Sequence, residues 1–100
     1  MSGSTPGTSS LAVDSAPGIA RKAWYDAEQL YVELTDGRVV THELPGFVRD
    51  TPPDQRGPCQ VEDFGTAIWW PRLGEGVGLN WVFGVRERVI EELAGFAAGP

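Results

Sequence analysis

His42, Cys59 and the adjacent pair Glu62-Asp63 are the residues whose types could carry chemistry in this chain. A lone histidine works as a general base or metal ligand only with a partner. His42 follows the β-branched run Val39-Val40-Thr41, and its neighbour Glu43 would point to the opposite face of a strand. Cys59 follows Pro58 in a turn-rich stretch. A reactive thiolate needs a nearby cation or helix N-terminus, and the sequence supplies neither. No spacing among His42, Cys59, Glu62 and Asp63 matches a metal-ligand motif. Glu62-Asp63-Phe64-Gly65 reads as a turn, with the carboxylate pair Glu62-Asp63 solvated. Leu73-Gly74-Glu75-Gly76-Val77-Gly78-Leu79 is glycine-laced, but its spacing fits neither G-x-G-x-x-G nor a P-loop, and no lysine follows. It reads as a permissive loop. The sequence therefore predicts no catalytic, metal or cofactor site, and no enzyme.

Trp69-Trp70 and Trp81 are more informative. On a strand, adjacent rings point to opposite faces, so one packs in the core and the other lies nearer solvent. Exposed tryptophans are favoured at binding hot spots.

The elements that position these residues follow from periodicity. Leu30, Val32 and Leu34 alternate with Tyr31, Glu33 and Thr35, which predicts a strand. Asp36-Gly37 predicts a two-residue type I′ turn. The return strand is Arg38 to Leu44, stopped by Pro45-Gly46. That turn would pair Leu34 with Val39, Val32 with Thr41 and Tyr31 with His42. Leu30, Val32, Leu34 and Val39 would then share the core face. Tyr31, Val40, His42 and Leu44 would share the other. Upstream, Ala20 to Asp26 predicts a third strand, completing a meander. Thr51-Pro52 predicts a short helical turn over Pro53–Arg56, capped by Thr51. Thr66 to Trp70 predicts a further strand, ended by Pro71.

From Asn80, a plausible N-cap, Val82, Val85, Val89, Leu93 and Phe96 recur on one helical face. The fold class is α+β. The sequence predicts a small antiparallel sheet of three to five strands, starting with the meander, and one C-terminal helix packed on it.

Composition sets the boundaries. Residues 1–18 are rich in Ser, Thr, Gly and Pro, and Asp14 is their only charged side chain. Such a stretch buries too little apolar surface to offset its ordering entropy, so a disordered tail is expected. Residues 19–98 are expected to form a single domain. The chain has 100 residues, a net charge of −6 and one cysteine. An intrachain disulfide is excluded, and a phosphate-binding surface is disfavoured. The start lacks a basic region followed by an apolar run, and no stretch is long enough to span a bilayer. A cytoplasmic protein with reduced Cys59 is expected.

Trp24-Tyr25-Asp26, Leu30-x-Val32-x-Leu34-x-Asp36-Gly37-Arg38, Thr51-Pro52, Ile68-Trp69-Trp70-Pro71 and Leu73-x-Glu75-x-Val77 occur in that order. Together they resemble the bacterial domain of unknown function family 2442, over Ala20 to Gly84. The resemblance implies a small α+β domain without assigned enzymatic activity. Members are often encoded beside toxin-like proteins, and some carry an appended helix-turn-helix. It therefore implies an antitoxin-like or regulatory role. Members commonly have His-Trp-Pro where this chain has Trp69-Trp70-Pro71. They commonly have Leu-Asp-Glu-Asp-Ile-Ser where this chain has Leu73-Gly74-Glu75-Gly76-Val77-Gly78. A function needing that histidine or those carboxylates does not carry over.

The expected function is a non-enzymatic protein-interaction module. Trp69, Trp81, Val85, Val89 and Leu93 are its candidate partner contacts, and the C-terminal helix could also support a homodimer. The acidic charge suits a basic, toxin-like partner. An alternative is a small-molecule-binding or enzyme-accessory protein, with a pocket lined by Tyr31, His42 and Trp70. A further alternative is a DNA-associated regulator with a basic stripe of Arg21, Lys22, Arg38 and Arg72.

Overall fold

In the computed structural model, residues 16–95 are described. Most of the expected tail, and Phe96, lie outside the described residues. The chain is α+β and opens with the meander. Strands β1 (Ala20–Tyr25), β2 (Gln29–Leu34) and β3 (Val39–Glu43) form one antiparallel sheet. Asp26 shapes the first turn. Its Oδ1 accepts from the N–H groups of Glu28 and Gln29, both at 2.8 Å.

The second turn differs from expectation, and the difference reorients a whole strand. Gly37 N–H donates to Leu34 C=O at 2.9 Å, and Leu34 N–H donates to Arg38 C=O at 2.7 Å. The loop is thus three residues, Thr35 to Gly37, with Gly37 at φ +94°. This is a turn closed by a left-handed glycine bulge, not the two-residue turn. The extra residue slips the register by one. Glu33 pairs with Val39, Val32 with Val40, Tyr31 with Thr41 and Leu30 with His42. A slip of one moves every side chain to the other face. Val39 is therefore 50% exposed, while Val40 packs on the core and Leu44 is buried. His42 shares the core face with Leu30, and Tyr31 stays on the outer one.

Two short helices follow, α1 (Gly46–Arg49) and α2 (Pro53–Arg56). Thr51 does not cap α2; its hydroxyl donates back to Phe47 C=O at 2.8 Å. Strands β4 (Gln60–Glu62), β5 (Ala67–Trp70) and β6 (Glu75–Gly78) form a second antiparallel sheet, in that order. The strands thus divide between two three-stranded sheets. The glycine-laced segment is a strand, not a loop. A Cβ at Gly76 would lie 2.4 Å from Ile68 C=O and 2.9 Å from the Trp69 ring. Glycine is needed there so that β6 can lie under Trp69.

Helix α3 (Leu79–Phe83) ends at Gly84, which sits at φ +69°. Val85 N–H reaches back to Asn80 C=O at 3.0 Å, a glycine-terminated helix end. Helix α4 (Glu87–Leu93) then starts in a new direction. The single helix expected from Asn80 is therefore broken, and Gly78 rather than Asn80 is the N-cap. The expected apolar stripe splits with it. Val82 and Val85 pack against the core, whereas Val89 and Leu93 are exposed. Ile90 docks α4 and is fully buried. The core joins both sheets through Leu30, Val32, Leu34, Ile68, Trp70 and Leu79.

The slipped register has a simple test. Val39→Thr should change stability by less than about 0.5 kcal/mol, as at an ordinary surface site. Val40→Thr should cost about 1–2 kcal/mol, because a hydroxyl enters the packed face. Urea midpoints of the two variants check this; a two-residue turn would reverse their order.

Candidate functional site

Asp63 and Phe64 both adopt positive φ, 55° and 59°, in the tight turn Asp63–Gly65. Bulky residues rarely occupy that region, which costs on the order of 1–3 kcal/mol each. The turn is held from two sides. Thr66 Oγ1 donates to Asp63 C=O at 2.8 Å. Gly65 is pressed on β1, where a Cβ would stand 2.6 Å from Ala20 C=O. The consequence is that Phe64 projects outward, 82% exposed.

Phe64 lines a groove of about 530 Å³. The turn, β5, β6 and α4 contribute its lining. Ala67, Ile68 and Trp69 of β5, Gly76, Val77 and Gly78 of β6, and Asn80 line its floor, and Glu87, Ile90 and Glu91 line its helical wall. Asp63 adds a third carboxylate, and among the described residues no Lys or Arg lines the groove. Trp69 and Trp70 divide as strand alternation requires. Trp70 is fully buried and Trp69 is 38% exposed over Gly76. Glu87 and Glu91 stand one helical turn apart. A like-charged pair at i,i+4 destabilises a helix by a few tenths of a kcal/mol. A cation brought between them would relieve that repulsion.

The remaining predicted partner contacts do not join this groove. Trp81 is half-exposed and its ring packs on His42, with centroids 4.1 Å apart. Val89 and Leu93 lie exposed on the flank of α4 away from Glu87 and Glu91, and Val85 packs on the core.

The structure does not assemble the pocket expected from Tyr31, His42 and Trp70, because the slipped register separates them. Tyr31 stacks on Trp24 on the outer face, centroids 5.7 Å apart. Its hydroxyl donates to Asp26 Oδ2 at 2.7 Å. That bond, with the turn's backbone N–H groups, holds the Asp26 carboxyl below its ordinary 3.8. The same carboxylate holds the Tyr31 hydroxyl above 10.0. Trp70 is packed between Tyr25 and Phe47, at centroid distances of 5.8 and 5.5 Å.

The basic stripe is broken up as well. Arg21 pairs with Glu33, and Arg38 pairs with Asp36 at 2.8 Å. Lys22 lies 5.6 Å from the Trp24 ring centroid. Arg72 packs over Gly57, where a Cβ would meet its Cδ at 2.3 Å.

Sequence reasoning missed Phe64, Glu87, Ile90 and Glu91. Two signals were present. Phe64 is a large apolar residue inside a predicted turn, and Glu87/Glu91 repeat one charge at helical spacing. Among the described residues, no three of His, Cys, Asp and Glu gather closely enough to hold a metal ion. No helix among them is long and apolar enough to cross a membrane.

Burial pushes the Cys59 thiol up to about 11. At pH 7.5 it should react with a thiol reagent far more slowly in the folded protein than in urea. Its folded value lies above its ordinary 9.0, so its contribution to stability is full below pH 9. That contribution is lost as pH rises through 11, and Cys59→Ala should show a shallower alkaline decline.

No curated protein and no solved structure matches the chain. Residues 20–81 match one family model. The match spans both sheets and the groove's floor, and ends before the helical wall at Glu87 and Glu91. It covers more than half of the chain, which therefore belongs to the family described as Protein of unknown function (DUF2442).

Proposed function

We propose that this chain is a non-enzymatic protein-interaction module that holds a basic protein partner in the groove beside Trp69. One observation carries the reading. Two aromatic side chains, Phe64 and Trp69, are held toward solvent around a groove edged by three carboxylates and no lining cation among the described residues. Aromatic anchors supply desolvation energy at an interface, and complementary charge selects and steers the partner. The net charge of −6 adds a long-range field of the same sign.

The groove's carboxylates also argue against direct binding of nucleic acid, whose phosphates would be repelled. The reading suits an antitoxin-like or regulatory partner protein acting in the bacterial cytoplasm. The basic surface it covers would be one that its partner uses on nucleic acid.

Affinity capture with the full chain, followed by calorimetry on the captured protein, tests this. Trp69→Ala should weaken binding by about 2 kcal/mol or more. Glu91→Lys should weaken it at least tenfold, and added salt should weaken the native complex. A partner indifferent to both substitutions, or one that is acidic, would contradict the proposal.

A further inference from the structure

We infer that a second copy of this chain adds to the free edge of β3, the two strands running antiparallel about a two-fold axis at Thr41. The inference does not depend on the groove, which no residue of β3 lines. β3 is an outermost strand, and among the described residues it pairs only with β2. Leu34 N–H donates to Arg38 C=O at 2.7 Å, which fixes the alternation along the ladder. Two and four residues further on, Val40 and His42 turn their backbone groups to β2, opposite Val32 and Leu30. Val39, Thr41 and Glu43 therefore turn theirs outward. Among the described residues, no backbone partner meets the N–H or C=O of Val39 and Thr41, or the N–H of Glu43. His42 Nδ1 stands 2.9 Å from Glu43 C=O, which keeps a second lone pair. The opposite edge of the sheet is covered: β4 packs beside β1, and Gly65 presses on Ala20.

The edge of β3 also lacks the usual guards. Proteins protect exposed edges with Lys, Pro, a bulge or a covering element. β3 holds neither Lys nor Pro, its register with β2 is unbroken, and Val39, Val40 and Thr41 are β-branched. Apolar surface is left bare on both sides of the edge. Val39 is exposed on the outer face, and Trp81 is half-exposed where its ring lies on His42. Strand addition uses free backbone groups for affinity and the flanking side chains for selection.

Charge selects the occupant and the register. The chain is acidic, yet Val39 to His42 carry no carboxylate. A foreign basic strand finds nothing there to pair with, whereas the chain's own strand matches this edge. Centred on Thr41, the register sets Val39 opposite Glu43 of the second copy, Val40 opposite His42, and Thr41 opposite Thr41. All five residues of β3 are then used. The two Glu43 side chains stand about 13 Å apart along the strands. A register centred on Glu43 would instead set the carboxylates face to face, which is unfavourable. At each end, the turn with its Asp36–Arg38 pair comes beside the Glu43–Arg49 pair of the other copy, so both signs meet there. Two three-stranded sheets become one of six strands. A contact through one short edge belongs to the small, transient class of interfaces, below about 1,200 Å², so the dimer dissociates on dilution.

Sedimentation equilibrium of the full chain, over about a hundredfold range of concentration, should show a monomer–dimer equilibrium. Amide exchange of Val39, Thr41 and Glu43 should slow as concentration rises. Thr41 is exposed, so Thr41→Lys and Thr41→Glu should each leave the melting temperature within a few degrees. Each should weaken self-association about tenfold or more, because like charges then meet at the axis. Mixed in equal amounts, the two variants should associate again, since opposite charges then face one another. Trp69→Ala should leave the dimer unchanged. A native chain that stays monomeric throughout the range would overturn the inference and leave the groove reading standing. Charged variants that dimerise as tightly as the native chain would overturn it too, as would a mixture no tighter than either variant alone. A dimer lost on Leu93→Ser but kept on Thr41→Lys would assign the contact to α4 and contradict the edge.

Discussion

The burial of Trp70 between Tyr25 and Phe47 is the contact on which the rest of the molecule depends. Trp70 belongs to the second sheet, Tyr25 to the first, and Phe47 to the helix between them. An indole of that size removes on the order of 200 Å² from water, worth about 5 kcal/mol at the usual coefficient, less about 1–3 kcal/mol for its buried and unpartnered Nε1–H. In a domain this small, with limited burial to draw on, a single such anchor is a large part of the net stability. Tyr25 strengthens it, because its hydroxyl also donates to Gly57 C=O in the connecting loop.

Once Trp70 is inside, alternation along β5 leaves Trp69 no place but the outer face. Trp69 in turn requires glycine at position 76, because a Cβ there would strike its ring and the Ile68 carbonyl. The outward tryptophan and the glycine strand beneath it are therefore one consequence of one packing choice. Phe64 is set by a separate device, the positive-φ turn pinned on β1. That two independent devices aim aromatics at the same groove is what makes the groove more than a gap between elements. α4 adds the carboxylates, and Ile90 holds that helix in place.

Much of this was legible in the residues. The alternation around Leu30, Val32 and Leu34, the split of Trp69 from Trp70, and the α+β class all follow from period and propensity. The family membership was legible too, from ordered short motifs rather than from any one of them. The misreadings share a cause: short-range rules with two close solutions. Asp-Gly serves a two-residue turn or a three-residue loop, and only the pairing energy of Val40 and Leu44 with the core decides between them. Gly84 can be tolerated in a helix or end it; here the docking of Ile90 requires the break. Gly76 looks like loop glycine until the Trp69 ring lies across it. The groove itself was not legible, because it joins a turn, two strands and a helix that are distant in sequence.

The central claim is that the groove, not the meander's outer face, meets the partner. Backbone amide shifts of the labelled full chain, titrated with the captured partner, test it most directly. The account predicts changes at Asp63–Trp69, Glu75–Asn80 and Glu87–Glu91. Changes confined to Trp24, Tyr31, Val39 and Thr41 would contradict it.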